Sequence, residues 1–289
     1  MRPELSATAP FFARTADTGH PPSDRGIALR SADVSCGLPQ QSANTTIDPP
    51  ASAFSDTQYS ESYPDGVENH FWHLARNRLV AATLRNTLPS VARVLEIGCG
   101  PAIVLRHLRA SNMDCWGCDI GRPAVPVEHA DHVFVQQDCL RLDPEFRRSV
   151  DALLLLDVLE HIEDDSGFLR AIGDGFPNSR ALIVTVPART ELWSNYDEHY
   201  GHFRRYTRDS LAAALAAGGL KLLQQRYFFQ ELYLPMLIAG RMPNQRSTTV
   251  PAPSHPSLHK LLGWISGVCS SALPGSLPGT SLIAVAVRN

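Results

Sequence analysis

The stretch Val91-Ala-Arg-Val-Leu-Glu-Ile-Gly-Cys-Gly-Pro-Ala-Ile-Val-Leu-Arg-His-Leu108 constrains this chain more than any other. An apolar run ends in an acid, Glu96, then in Gly98-Cys99-Gly100, then in apolar residues at helical spacing. That order predicts a buried strand, a tight turn and the opening of a helix. Gly98 and Gly100 let the backbone turn sharply and approach a ligand with no side chain in the way. Pro101 suits the first helical position, where a missing N–H costs nothing. The free amides of such a helix start can hold an anionic group, so a nucleotide-like ligand is implied.

The acids around the turn narrow the choice. Asp119 ends the next apolar stretch, about 20 residues on, where an acid in such a fold takes ribose hydroxyls. Two further stretches end in Asp138 and Asp157. Four strand ends are therefore expected to present Glu96, Asp119, Asp138 and Asp157 to one crevice. So much negative charge suits a cationic ligand better than a pyrophosphate.

These residues resemble the class I S-adenosylmethionine-dependent methyltransferases. Glu96, Gly98, Cys99 and Gly100 match the family's acid and glycine turn, with Ala102 where a third glycine is usual. The resemblance implies a Rossmann-like α/β fold, a seven-stranded and mostly parallel sheet with helices on both faces and one antiparallel strand. It implies S-adenosylmethionine as cofactor, with Asp119 and Ile120 at the ribose, Asp138 and Cys139 at the adenine, and Asp157 under the methionine half. Asp157-x-x-Glu160-His161 also matches the acid-x-x-acid-His spacing associated with a divalent metal in ubiquinone-pathway O-methyltransferases. The same pattern occurs widely without metal, and no metal is expected here; His161 could instead take a proton from the acceptor. A nicotinamide-dependent oxidoreductase is the alternative, although Ile103 stands where a dinucleotide turn wants its last glycine. A non-catalytic cofactor-binding partner protein is the third reading.

The 289 residues, 44% apolar, can build one sizeable core with appendages. A formal charge of -3 offers no footprint for nucleic acid. The six cysteines form no framework. Cys115 and Cys118, three apart on a predicted strand, point to opposite faces, which argues for buried, reduced thiols and a cytoplasmic protein. Residues 1–55, rich in Ala, Pro, Ser, Thr and Gly, are expected to be a disordered tail. No run reaches the roughly 18 residues of a membrane span.

The methyltransferase domain is expected over 56–289. It begins with a helix over Glu68–Leu88, whose Phe71, Trp72, Arg76 and Asn77 are candidate pocket residues. Strands are predicted at Arg93–Ile97, Cys115–Asp119, Val133–Gln137, Ala152–Leu156, Ala181–Val186, Leu220–Phe229 and Ser281–Val287. Between the fifth and sixth lies a long connection, 188–207, too rich in aromatics, histidines and arginines to be disordered. It should fold over the crevice. Its Gly-His-x-Arg-Arg-Tyr segment resembles that of one bacterial methyltransferase subgroup, which implies that Trp193, Asp197, His202, Arg204, Arg205 and Tyr206 form the substrate side of the pocket. Histidine titrates near neutral pH, so His202 and His161 are the candidate bases. One of the two arginines is expected to pair with Asp197 or Glu198 as a structural clasp. Segment 231–279 carries more apolar surface than a loop needs and reads as a helical insertion or lid before the last strand; core packing, a dimer face and peripheral contact with lipid are all open to it. The acceptor expected is a small molecule, lipid or saccharide.

Overall fold

The computed structural model describes residues 54–90, 93–241 and 246–288. By internal contacts the chain divides after Thr45, and the first unit lies outside the described residues, as does the tail expected over 1–55 up to residue 53. In chain order the helices are α1 (Asp56–Ser62), α2 (Phe71–Thr87), α3 (Ile103–Arg109), α4 (Pro144–Arg148), α5 (Asp165–Gly175), α6 (Asn195–His199), α7 (Arg208–Ala217), α8 (Gln230–Ala239) and α9 (Pro256–Ala272). The strands are β1 (Arg93–Ile97), β2 (Asp114–Asp119), β3 (Val133–Val135), β4 (Ala152–Leu156), β5 (Ala181–Pro187), β6 (Leu220–Phe228) and β7 (Ser281–Arg288).

The strands form one sheet in the order β3-β2-β1-β4-β5-β7-β6. β1 to β5 pair in parallel, and β7 runs antiparallel to both β5 and β6. This is the Rossmann-like sheet with one reversed strand that the family resemblance implies. Apolar residues alternate between its two faces, as strand geometry requires. Leu153 and Leu155 of β4 join Leu169, Ile172, Leu211 and Leu215 of α5 and α7 on one face. Leu154 and Leu156 join Val80, Leu84, Leu105 and Leu108 of α2 and α3 on the other. Cys118 and Cys115 fall into these two cores respectively, as their spacing predicts.

Local signals start the helices. Asp164 caps α5 by accepting from the Gly167 amide, and Thr207 caps α7 through Ser210. The helix after the glycine turn begins later than Pro101 suggests. Ala102 adopts a left-handed conformation (φ 62°), so the helix opens only at Ile103 and Pro101 belongs to the turn. Strand order reverses between β1 and β4, and the crevice outside their carboxyl ends is where such sheets bind ligands. No helix among the described residues is long and apolar enough to cross a membrane.

Candidate active site

A cavity of about 560 Å³ opens at that crevice. Its floor is the β1 turn, with Glu96, Gly98, Cys99 and Gly100, followed by Asp119 and Ile120 after β2 and Asp157 after β4. Gly98 (φ 73°) could not be replaced without strain, because an added Cβ would lie 2.5 Å from the Val158 side chain. Asp119 ties the floor together: its Oδ2 accepts from the Gly100 amide and its Oδ1 from the Gly121 amide, each at 2.8 Å. Asp157 pairs with Arg76 of α2, and Phe71 and Trp72 of the same helix also line the cavity. Asn77 is buried but is not part of the lining.

Asp138 and Cys139 lie elsewhere. β3 ends at Val135, and Gln136 then turns through a left-handed conformation (φ 55°). Asp138 therefore caps the next turn through the Leu140 amide and faces Arg141, while Cys139 packs into the α5 side of the core, where burial pushes its thiol up to about 12. Neither lines the cavity. Three of the four expected acids converge, and the fourth is a helix cap.

The roof contains a part the sequence did not announce. Helix α1 lies over the floor, and the Tyr59 hydroxyl donates to Asp119 Oδ1 at 2.8 Å. Tyr63 approaches Gly100 so closely that a Cβ there would meet its hydroxyl at 3.1 Å. The available signal was the capping box Ser55-x-x-Gln58, which starts α1.

The connection 188–207 forms the remaining wall, held by two acids. Asp197 of α6 accepts from His202 Nδ1 at 2.9 Å and from Arg205 Nε at 2.7 Å. Burial alone would raise its pKa, but the hydrogen bonds from His202 and Arg205 bring it down to about 2. Asp165 holds Arg204 at 2.8 Å and the Tyr206 hydroxyl at 2.9 Å on the far side of the segment. Of the expected substrate-side residues His202 and Arg205 line the cavity; Asp197 stands behind them as their shared acceptor, Arg204 and Tyr206 are clasped away, and Trp193 donates to Glu198 outside it. Both arginines are clasped, Arg205 through Asp197 as expected. Tyr196 and Tyr200 take the places facing inward.

His202 and His161 both line the cavity with ring centroids 4.7 Å apart. Burial, helped by the neighbouring His202, lowers the His161 pKa to about 3, so His161 stays neutral. Glu160, His161 and His202 bring one donor atom each within 4.8 Å of one another, a spacing that could hold a metal ion. Asp157 is committed to Arg76 and takes no part in that group.

Glu96 is the electrostatic centre of the floor. Burial, against the pull of Arg76, raises its pKa from 4.5 to about 8, and its Oε2 has no partner among the described residues. A buried carboxyl that is protonated when folded and ionised when unfolded loses stability as pH rises from about 4.5 to about 8. The Glu96→Gln variant should lack this slope, so urea unfolding at the two ends of that window should show wild type falling relative to the variant by a few kcal/mol. The orphaned Glu96 Oε2 and the spare lone pair on Asp119 Oδ2 leave hydrogen-bonding capacity in this floor that fits a polar ligand such as a ribose diol.

A seven-stranded sheet with β7 reversed beside β5, a glycine turn after β1 and an acid at the end of β2 is the arrangement expected of a class I methyltransferase. Residues 71–225 match the family model described as methyltransferase domain, and the chain belongs to that family. The chain therefore carries a methyltransferase domain, and this membership speaks against the nicotinamide alternative. Ubiquinone biosynthesis O-methyltransferase of Azorhizobium caulinodans is 30% identical over 132 residues, covering 44% of this chain and 49% of that protein. The chain thus spans about half the length of this curated relative. Among solved structures, a SAM-dependent methyltransferase from Archaeoglobus fulgidus matches with TM-score 0.45 at 18% identity, over 75% of this chain and 98% of its own. Magnesium protoporphyrin IX methyltransferase from Synechocystis matches with TM-score 0.47 at 16% identity, over 81% and 91%.

Proposed function

We propose that this enzyme methylates an oxygen of a small-molecule acceptor with an apolar body, and that His202 is the base. The observation that carries the reading is the hydrogen bond from His202 Nδ1 to the ionised Asp197 at the cavity wall. It fixes the ring orientation and leaves Nε2 as the proton acceptor, while the carboxylate stabilises the imidazolium that forms. His161 is the poorer base, since burial holds its pKa at about 3.

Glu96, Gly98, Cys99, Gly100, Asp119 and Ile120 would hold the donor, with the Asp157–Arg76 pair beside them. When bound, S-adenosylmethionine supplies an electrophilic methyl on a sulfonium. The chain's task is then to align the acceptor oxygen with that methyl for in-line displacement, to remove the acceptor proton at His202, and to exclude water. Phe71, Trp72, Leu232 and Met236 offer apolar walls for the acceptor body, and Tyr196 and Tyr200 add aromatic faces with polar edges. The O-methyltransferase relative supports oxygen as the accepting atom.

His202→Ala should lower turnover, read as S-adenosylhomocysteine released on a cell extract, by about 100-fold. Donor affinity by calorimetry should barely change. Equal losses in both would reduce His202 to a residue that pins the wall.

A further inference from the structure

Helix α9 is built inside out. Its buried residues are Gly263, Ser266 and Ser270, a stripe of small side chains turned toward the protein. Gly263 lets it approach α2 so closely that a Cβ would meet Leu74 at 2.9 Å. Leu258, Leu261, Leu262, Ile265 and Val268 recur at the spacing that usually faces a core, yet they are exposed, and Trp264 beside them is 59% exposed. Helix α8 continues the surface: Leu234 (62% exposed) and Ile238 face outward, while Leu232 and Met236 on the opposite side of the same helix line the cavity. A contiguous apolar patch of this kind is a contact surface.

Charge says what covers it. No acid follows Glu231 at the start of α8, whose carboxylate oxygens are buried, and the exposed cations beside the patch are Arg241 and Lys260; Arg246 lines the cavity and Arg288 pairs with Asp174, so the patch carries a small excess of positive charge in a chain that is acidic overall. Lys260 is exposed among the apolar side chains of α9, and Arg241 follows α8. A second copy docking face to face would bring these cations together, whereas an anionic lipid headgroup layer would neutralise them while its acyl region takes the leucines and Trp264. We propose that the outward faces of α8 and α9 bind the surface of an anionic lipid bilayer, on the far side of α8 from the cavity.

Flotation of the full chain with vesicles tests this. It should rise with vesicles of phosphatidylcholine and phosphatidylglycerol in equal parts, and far less with phosphatidylcholine alone. Leu261→Glu with Trp264→Glu should lower the bound fraction by about tenfold or more, and Lys260→Glu by about fivefold. These exposed substitutions should leave the melting temperature and S-adenosylmethionine affinity unchanged, which separates lost docking from lost folding or catalysis. Wild type that stays down with both vesicles, equal flotation on both, or a double variant that floats like wild type would overturn the proposal. A wild type that does not float but forms a dimer, broken by the double variant, would assign the face to a second copy instead.

Discussion

Asp197→Ala should cost about 3–5 kcal/mol of folding stability, because it strands a buried guanidinium. Arg205 is 4% exposed and Asp197 fully buried at the side chain, and the carboxylate also accepts from the Ser194 amide at 2.9 Å. Among the described residues, the guanidinium's one other hydrogen bond goes to the Ala188 carbonyl at 3.2 Å. Removing the acid therefore leaves the cation without its hydrogen-bonded carboxylate, with buried Glu160 as its remaining acidic neighbour. Removing both charges, as Asp197→Ala with Arg205→Met, should recover much of the loss. Urea unfolding of the three proteins is the measurement, and a single variant within about 1 kcal/mol of wild type would show that the clasp does not hold this wall. The pH dependence has a definite sign. Asp197 titrates at 3.8 when unfolded and at about 2 when folded, so its contribution is complete above 3.8 and fades as pH falls toward 2.

Asp119→Ala should weaken S-adenosylmethionine binding by about 100-fold or more, since hydrogen bonds to a charged group contribute about 1.5–3 kcal/mol each. The carboxylate does two jobs. It is the acceptor expected for the ribose, and it anchors the amides of Gly100 and Gly121, so its loss slackens the turn as well. Asp119→Asn keeps the shape but exchanges one acceptor oxygen for a donor, and should fall between the two. Calorimetry distinguishes the three; unchanged affinity in the alanine variant would move the donor to another part of the cavity.

The fold was legible because its signals are local and repeated. The β1 and β4 runs could be bounded from sequence to the residue, and the reversed β7 followed from the resemblance. The cavity lining was legible where a residue's position is set by its own strand end, as for Glu96, Asp119 and Asp157. It was not legible where tertiary contacts decide. Asp138 looks like the other strand-end acids, yet β3 stops early and leaves it as a cap. Arg204 and Arg205 are neighbours, and only the positions of Asp165 and Asp197 determine which one turns to the cavity. His161 and His202 are alike as letters; what separates them is the buried Asp197, which accepts from the His202 ring. Helix α1 buries no residue fully and so leaves no apolar stripe to read.

That helix changes what occupancy of the cavity means. The Tyr59 hydroxyl and the Gly121 amide already fill both lone pairs of Asp119 Oδ1, so a diol that wants both carboxylate oxygens must displace the phenol. Docking of the donor is then an exchange of one partner for another, and its net grip is weaker than the carboxylate alone would give. On the proposed reading, the same phenol would reclaim Asp119 Oδ1 once the spent cofactor leaves.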